Sequence, residues 1–308
     1  DLFKYILKRI VVGFVTLFIL ATVTFFLMKI IPGSPFAGEN TKLPASVQEK
    51  LMAKYNLDKP ILEQYVIYMK DAFQGDFGIS TYRTGREVND IIANGMPVTA
   101  RLGFVAFVIA MVTGITLGTV AAFTKHKWVD NFVIALATLG ASVPGFLLAL
   151  LLMIVFGVWL HLFPIVGLSS WRHYVLPAIS LALSPIAMIA RLTRSSMMEV
   201  MRQDYMVLAR SKGSSQMKVI LKHGLKNAMI PVVTYAGPLI ATLMTGSFVI
   251  ESLFSIPGIG AEYVTSISNR DYTMIMGLTI FFGAFIIIAN IITDIINAVI
   301  DPRIKLGS

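Results

Sequence analysis

The sequence predicts an all-α integral membrane protein with six transmembrane helices and both termini in the cytoplasm. Three observations predict it. Of the 308 residues, 56% are hydrophobic and only 14% charged, where a soluble domain carries about 25% charged residues. Six apolar runs, at 10–28, 102–123, 132–162, 174–190, 228–250 and 274–299, approach or exceed the roughly 20 residues that cross a hydrocarbon layer. The loops between them alternate between rich and poor in net positive charge, the pattern that sets topology.

The first run follows Lys4, Lys8 and Arg9. Its apolar stretch is longer than a signal-peptide core and no small-residue cleavage pattern follows, so it is expected to be a retained span. Residues 31–97 then form an outer insertion with seven Lys/Arg against eight Asp/Glu. It opens with the helix-ending IPGSPF. Two short helices are expected after it. Asp58 and Pro60 mark the start of the second, Gly75 lies just past its end, and Ile61, Leu62, Tyr65, Met69 and Phe73 share a face. GDFGIS reads as a turn. The insertion serves as a structural cap or as a docking surface for an outer partner.

The second run carries Gly103, Gly114 and Gly118, and the 114/118 pair suits close helix packing. The third is long and holds Pro144-Gly145; one tilted or kinked helix is expected. Between the fourth and fifth runs, residues 191–227 hold Arg191, Arg194, Arg202, Arg210, Lys212, Lys218, Lys222 and Lys226 against Glu199 and Asp204. Lys125 and Lys127 precede run three, and Arg303 and Lys305 follow run six. Residues 251–273 hold Arg270 against Glu251, Glu262 and Asp271. The division is therefore 1–30 as N-terminus and first span, 31–97 outside, 98–300 as a five-helix core with its loop at 191–227, and 301–308 as a cytoplasmic tail.

Several chemistries are excluded. There is no cysteine, hence no disulfide or thiolate metal site. No phosphate-cradling loop, H-E-x-x-H or G-x-S-x-G occurs, so no catalytic residue is assigned. His126, His161, His173 and His223 are scattered, with no carboxylates clustered around them for a metal. The net charge of +9 has a topological origin, and nucleic acid is not an expected partner. Thr242, Thr245 and Ser247 in run five, with Asn290 and Asp294 in run six, are the candidate lining of a translocation path. The structural alternative is that the hydroxyls bond their own helix and Asp294 is interfacial.

The stretch DYMVLARSKGSSQMKVILKHGLKNAMIP at 204–231 stands out in this oily chain. Asp204 can cap a short helix with Tyr205, Leu208, Ala209 and Lys212 on one side. Gly213 ends it in the left-handed region. Ser214 or Ser215 caps a second helix, with Met217, Ile220, Leu221, Leu225 and Ala228 as an apolar stripe and Lys218, Lys222 and Lys226 as a basic one. The pair reads as a helix–turn–helix elbow. A lipid-lying amphipathic helix, with lysines on anionic membrane lipid, accounts for its second half alone.

This segment resembles the E-A-A-x-x-x-G loop of ABC importer permeases. Ala209, Gly213 and Leu225 match, Val207-Leu208 replace the first two letters, and Lys226 stands at the proline. IPGSPF, YNLDKP, GDFGIS, ARLTRSSM, SIPGIG, NRDYT and IDPRIK are similar to the B-type permease subunit of oligopeptide importers. That resemblance implies a type I ABC importer permease fold in a bacterial inner membrane and a peptide substrate. It also implies a second homologous permease subunit, two cytoplasmic ATPase subunits and an extracytoplasmic substrate-binding protein. ATP and magnesium would sit on the ATPases, with no cofactor on this chain. Asp204, Tyr205, Ala209, Arg210, Lys212, Gly213 and Leu225 would form the ATPase-coupling loop. A dipeptide or nickel-chelate permease of the same branch and a self-sufficient secondary transporter are the alternatives.

Overall fold

The computed structural model describes residues 2–31, 36, 45–83, 85–124, 127–211, 213, 215 and 218–300. Most of IPGSPF, Lys212 and the tail at 301–308 lie outside the described residues. Among those described, the chain is helical, and its β pairing is one isolated bridge between Ile79 and Glu87. That bridge closes the turn begun by GDFGIS.

The helices are α1 (Leu2–Ile30), α2 (Ala45–Lys54), α3 (Ile61–Phe73), α4 (Val88–Phe123), α5 (Lys127–Ser142), α6 (Gly145–Leu152), α7 (Arg172–Val200), α8 (Asp204–Ser211), α9 (Ile230–Met244), α10 (Phe248–Leu253), α11 (Ile259–Ser268) and α12 (Tyr272–Ile300). Two π-helical segments occur, Met153–Trp159 after α6 and Val219–Leu225 before α9. Among the described residues five helical stretches are long and apolar enough to cross a membrane, or six if one sharply bent helix pair counts as a single span. At 29 residues, α1 is about 43 Å long and exceeds the hydrocarbon at both ends. Likewise α7 runs ten residues past Ala190, because a helix does not end where hydropathy does.

The sixth stretch departs from the expected kinked helix. α5 and α6 meet at 107° across Val143-Pro144. Pro144 has ψ 131°, so the chain leaves the helix entirely before α6 begins. A proline inside a helix kinks it; an extended proline between two helices turns the corner. A milder break occurs after α9, where Gly246 sits at φ +84° and the Ser247 hydroxyl caps α10 by accepting from the Ile250 N–H at 3.3 Å.

The chain forms two compact units, residues 1–99 with 257–288 and residues 100–256 with 289–308. In the first, α1 and α12 pack side by side through Gly13 on Ile287 and Gly283 on Leu17. α3 lies along α1: Tyr65 and Thr22 share a hydroxyl hydrogen bond of 2.7 Å, and the Phe73 and Phe14 rings stand 5.9 Å apart. The α3 face differs from the expected stripe. Met69 is buried and Tyr65 half-buried, but Leu62 is 70% exposed and Phe73 61%. The face that packs on α1 is Gln64, Tyr65, Tyr68 and Met69, because the Lys29–Gln64 and Thr22–Tyr65 bonds fix the helix's rotation.

In the second unit α7 is central, with half of its apolar window buried, against 17% for α1. Glycines of α4 bring that helix close to α7. A Cβ added at Gly118 would stand 2.5 Å from the Ala190 carbonyl oxygen, and one at Gly114 2.7 Å from Ile189 Cβ. The Gly114-x-x-x-Gly118 spacing thus does what its sequence suggests, letting backbones approach where only packing holds helices together. Gly118→Val must push α7 away, and overpacking of this kind costs about 1–3 kcal/mol. A lowered thermal midpoint in mild detergent is expected, while Gly145→Val, where an added Cβ meets nothing within 4 Å, should leave it near wild type.

Candidate functional site

The elbow is assembled from the end of α7, the helix α8, the turn at Gly213 and the π segment. The Gln203 carbonyl accepts from the Met206 N–H at 3.0 Å and starts α8. Asp204 is its first residue, at the positive end of the helix dipole. Tyr205, Val207 and Leu208 are 43%, 54% and 57% exposed, while Met206 is fully buried. Tyr205 and Leu208, expected on one side together with Ala209 and Lys212, are both exposed. The pin of this helix, Met206, was not anticipated. The Ala209 and Arg210 backbones lie in α8, but their side chains, like all of Lys212, are outside the described residues.

Gly213 has φ +76°, the left-handed conformation its position demands. Among the described residues, no heavy atom beyond its chain neighbours lies within 4 Å of where its Cβ would be. Ser215 then caps the second piece: its carbonyl accepts from the Val219 N–H at 3.0 Å and its hydroxyl from the Lys218 N–H at 3.4 Å. That second piece is not the expected α-helix. Val219–Leu225 is π-helical, and a ladder closing at i→i+5 does not stack residues four apart. The lysine stripe expected at 218, 222 and 226 is not placed, since the side chains of Lys222 and Lys226 lie outside the described residues.

Methionines join the elbow to α7. A Cβ on Gly224 would meet Met201 Sδ at 3.2 Å and the Cε atoms of Met197 and Met206 at 3.5 Å. Met197, Ile220 and Ala228 form a buried cluster, with Leu225 and α4 residues Ala122 and Phe123 packed on it. α8, the last turns of α7 and the end of α4 thus meet through adaptable side chains.

The path candidates are placed less suggestively. Thr242 donates to the Pro238 carbonyl at 2.9 Å and Thr245 to the Thr242 carbonyl at 2.8 Å. Ser247 is the cap of α10. All three hydroxyls serve their own helices. Asn290 is exposed and Asp294 half-buried on α12, whose Thr293 packs against Gly237 of α9.

The first unit holds a polar clasp that the sequence reading counted only as charge. Asp271 is 2% exposed. Its carboxylate accepts from the Ser80 hydroxyl, the Thr81 N–H at 3.1 Å and hydroxyl at 3.0 Å, and the Met274 N–H at 3.2 Å. Beside it Arg83 pairs with Glu262 at 2.7 Å. Burial pushes the Glu262 carboxyl above its ordinary range; Arg83 opposes the rise, Asp271 adds to it and Arg86 opposes it. Asp271 directly precedes the apolar run of α12, the position of a helix cap, and that signal was available in NRDYT.

Residues 114–306 match the family described as binding-protein-dependent transport system inner membrane component, and residues 2–103 match its N-terminal region. The chain belongs to this family. These transport components include the dipeptide transport system permease protein DppB of Bacillus subtilis, 46% identical over 98% of this chain and 98% of that protein. The oligopeptide transport system permease protein OppB of Escherichia coli is 42% identical over 98% of this chain and 99% of its own length. Among solved structures, a chain of the MetNI methionine ABC transporter has a TM-score of 0.56 at 17% identity, covering 68% of this chain and 96% of its own. An amino acid ABC transporter gives 0.54 at 14%, covering 68% and 94%. These share the fold of ABC importer permeases, and the chain is a multi-pass inner-membrane permease component of such a system.

Removing Asp271 strands several buried donors, each worth about 1–3 kcal/mol when left unpaired. Asp271→Ala should therefore lower the thermal midpoint sharply, whereas Arg83→Gln, at a pair 38% exposed on the arginine side, should cost about 0–1 kcal/mol. The sign for Glu262 follows from its raised pKa. It contributes stability at low pH that is lost as pH rises through the folded value. Arg83→Gln removes the largest opposing pull, so this loss should move to higher pH in thermal-unfolding curves.

Proposed function

We propose that the chain is one permease half of an ATP-driven peptide importer and that its elbow is the joint with the ATPases. The observation that carries this is the elbow itself. It is a short helix with an exposed apolar edge at Tyr205, Val207 and Leu208, ended by a left-handed Gly213 and rooted by Met206 against α7. A lipid-lying helix needs no such turn. In this reading two ATPase subunits bind ATP and magnesium, and their closure moves α8. α7 and α9 then tilt against a second permease subunit and alternate the access of a central path. An extracytoplasmic binding protein delivers the peptide. The chain itself supplies no nucleotide site and no catalytic residue.

Relatives named for dipeptides and for oligopeptides support the peptide class. The oligopeptide reading rests on the motifs shared along the chain; a dipeptide reading is favoured by the relative at 46% identity. Selection by length falls to the binding protein, and the ligand that protein retains distinguishes the two. A self-sufficient secondary transporter predicts ion-driven uptake by vesicles holding this chain alone. The importer predicts co-purification of a second permease and ATPases in mild detergent.

Asparagine tolerates the left-handed region, so Gly213→Asn keeps the elbow's backbone while adding bulk where none of the described residues fills the space. Membrane insertion and assembly should be retained. Peptide uptake and substrate-stimulated ATP hydrolysis should fall at least about tenfold, a coupling loss of about 1.4 kcal/mol. Wild-type uptake by this variant would remove the docking role.

A further inference from the structure

The first unit contains a cavity of about 550 Å³, lined from α1, α3, the segment after α3 and the start of α12. Its floor is apolar, with Phe25, Met28, Ile67 and Met276. Its walls carry both signs of charge: Lys29 and Lys54 on one hand, Asp71, Asp76 and Glu87 on the other. Two phenols, Tyr68 and Tyr272, also line it. Both hydroxyl oxygens are buried, and neither has a hydrogen-bond partner among the described residues. A buried donor left unmade is costly, so two in one cavity call for an acceptor that the described residues do not supply.

A second, wholly apolar slot of about 170 Å³ lies on the same two helices, α1 and α3. It is lined on α1 by Phe14, Leu17, Phe18 and Ala21. Ala21 is one turn from Phe25 of the cavity, and Met69 of the slot adjoins Tyr68 of the cavity. On α3, Leu62, Val66 and Phe73 remain 70%, 62% and 61% exposed, the apolar edge of a helix set against acyl chains.

We propose that the cavity binds the headgroup of an aminophospholipid, phosphatidylethanolamine, with part of one acyl chain in the slot. The phosphate diester accepts from Lys54, Lys29 and the Tyr68 and Tyr272 hydroxyls. The primary ammonium donates to the carboxylates of Asp71, Asp76 and Glu87. Lys29 already donates to Gln64 Oε1 at 2.5 Å, and two of its three donors remain for the lipid. Asp76 accepts the Gly78 N–H through Oδ1 at 2.8 Å and keeps acceptor capacity on Oδ2. Burial, with Asp76 adding to it, holds the Tyr68 phenol in its neutral, donating form. A soluble zwitterion such as a peptide would use the two charged poles but neither the slot nor the exposed edge of α3. Lipid occupancy here is independent of whether the chain carries peptides.

Native mass spectrometry of the purified transporter, with added phosphatidylethanolamine or phosphatidylglycerol, tests this. Wild type should retain one phosphatidylethanolamine per chain at least about tenfold more tightly than phosphatidylglycerol. The Tyr68→Phe/Tyr272→Phe double variant and the exposed Lys54→Gln variant should both lose that preference. In delipidated detergent the double variant should melt no lower than wild type, since it removes two unpaired hydroxyls, and added phosphatidylethanolamine should raise the midpoint of wild type alone. Equal retention of the two lipids, retention by the double variant at the wild-type level, or displacement of the lipid by di- or oligopeptides would overturn the proposal.

Discussion

A helix surrounded by hydrocarbon gains little by covering apolar surface, because lipid tails are as apolar as leucine. What holds the second unit together is therefore how closely backbones approach. Gly114 and Gly118 set that approach between α4 and α7, and α7 is the helix from which the elbow grows. If α7 could drift from α4, the methionines at 197, 201 and 206 would have nothing rigid to push on. In the proposed importer these glycines would be the fulcrum and the elbow the lever arm.

Much of the polar chemistry sits where helices end. Asp271 caps α12 while gathering Ser80 and Thr81 from the outer insertion. Gly213 and Ser215 turn the chain between the two pieces of the elbow. Within the spans, hydroxyls of Thr116, Ser180, Thr242 and Thr279 return to carbonyls of their own helices, as the scarcity of other acceptors in a bilayer requires. A path between two permease halves would accordingly be lined by modestly polar surface, which suits cargo whose selection happens before it arrives.

The spans were legible in the sequence because hydrocarbon thickness converts directly into run length. The turn at Gly213 was legible because the left-handed region favours glycine, and the Gly114/Gly118 contact because a four-residue spacing faces one neighbour. Other features were not legible for identifiable reasons. Pro144 announced an interruption, but whether a proline kinks a helix or stands extended between two depends on ψ, which composition does not encode. The burial of Met206, between two exposed neighbours, depends on Gly224 arriving from the π segment. The Ser80–Asp271 bond joins residues 191 positions apart. Which side of α3 packs on α1 was not legible, because it is set by the Lys29–Gln64 and Thr22–Tyr65 bonds between residues far apart in sequence.

The central claim is that α8 is where an ATPase takes hold. The chain has no cysteine, so Leu208→Cys places a single thiol on the exposed edge of that helix. Cross-linking of this variant in native membranes with a short bifunctional thiol reagent, in the presence and absence of ATP, reads the claim directly. The account predicts a covalent product with a P-loop ATPase whose yield changes when nucleotide is added. A thiol that labels only with lipid-phase reagents and yields no ATPase product would contradict it.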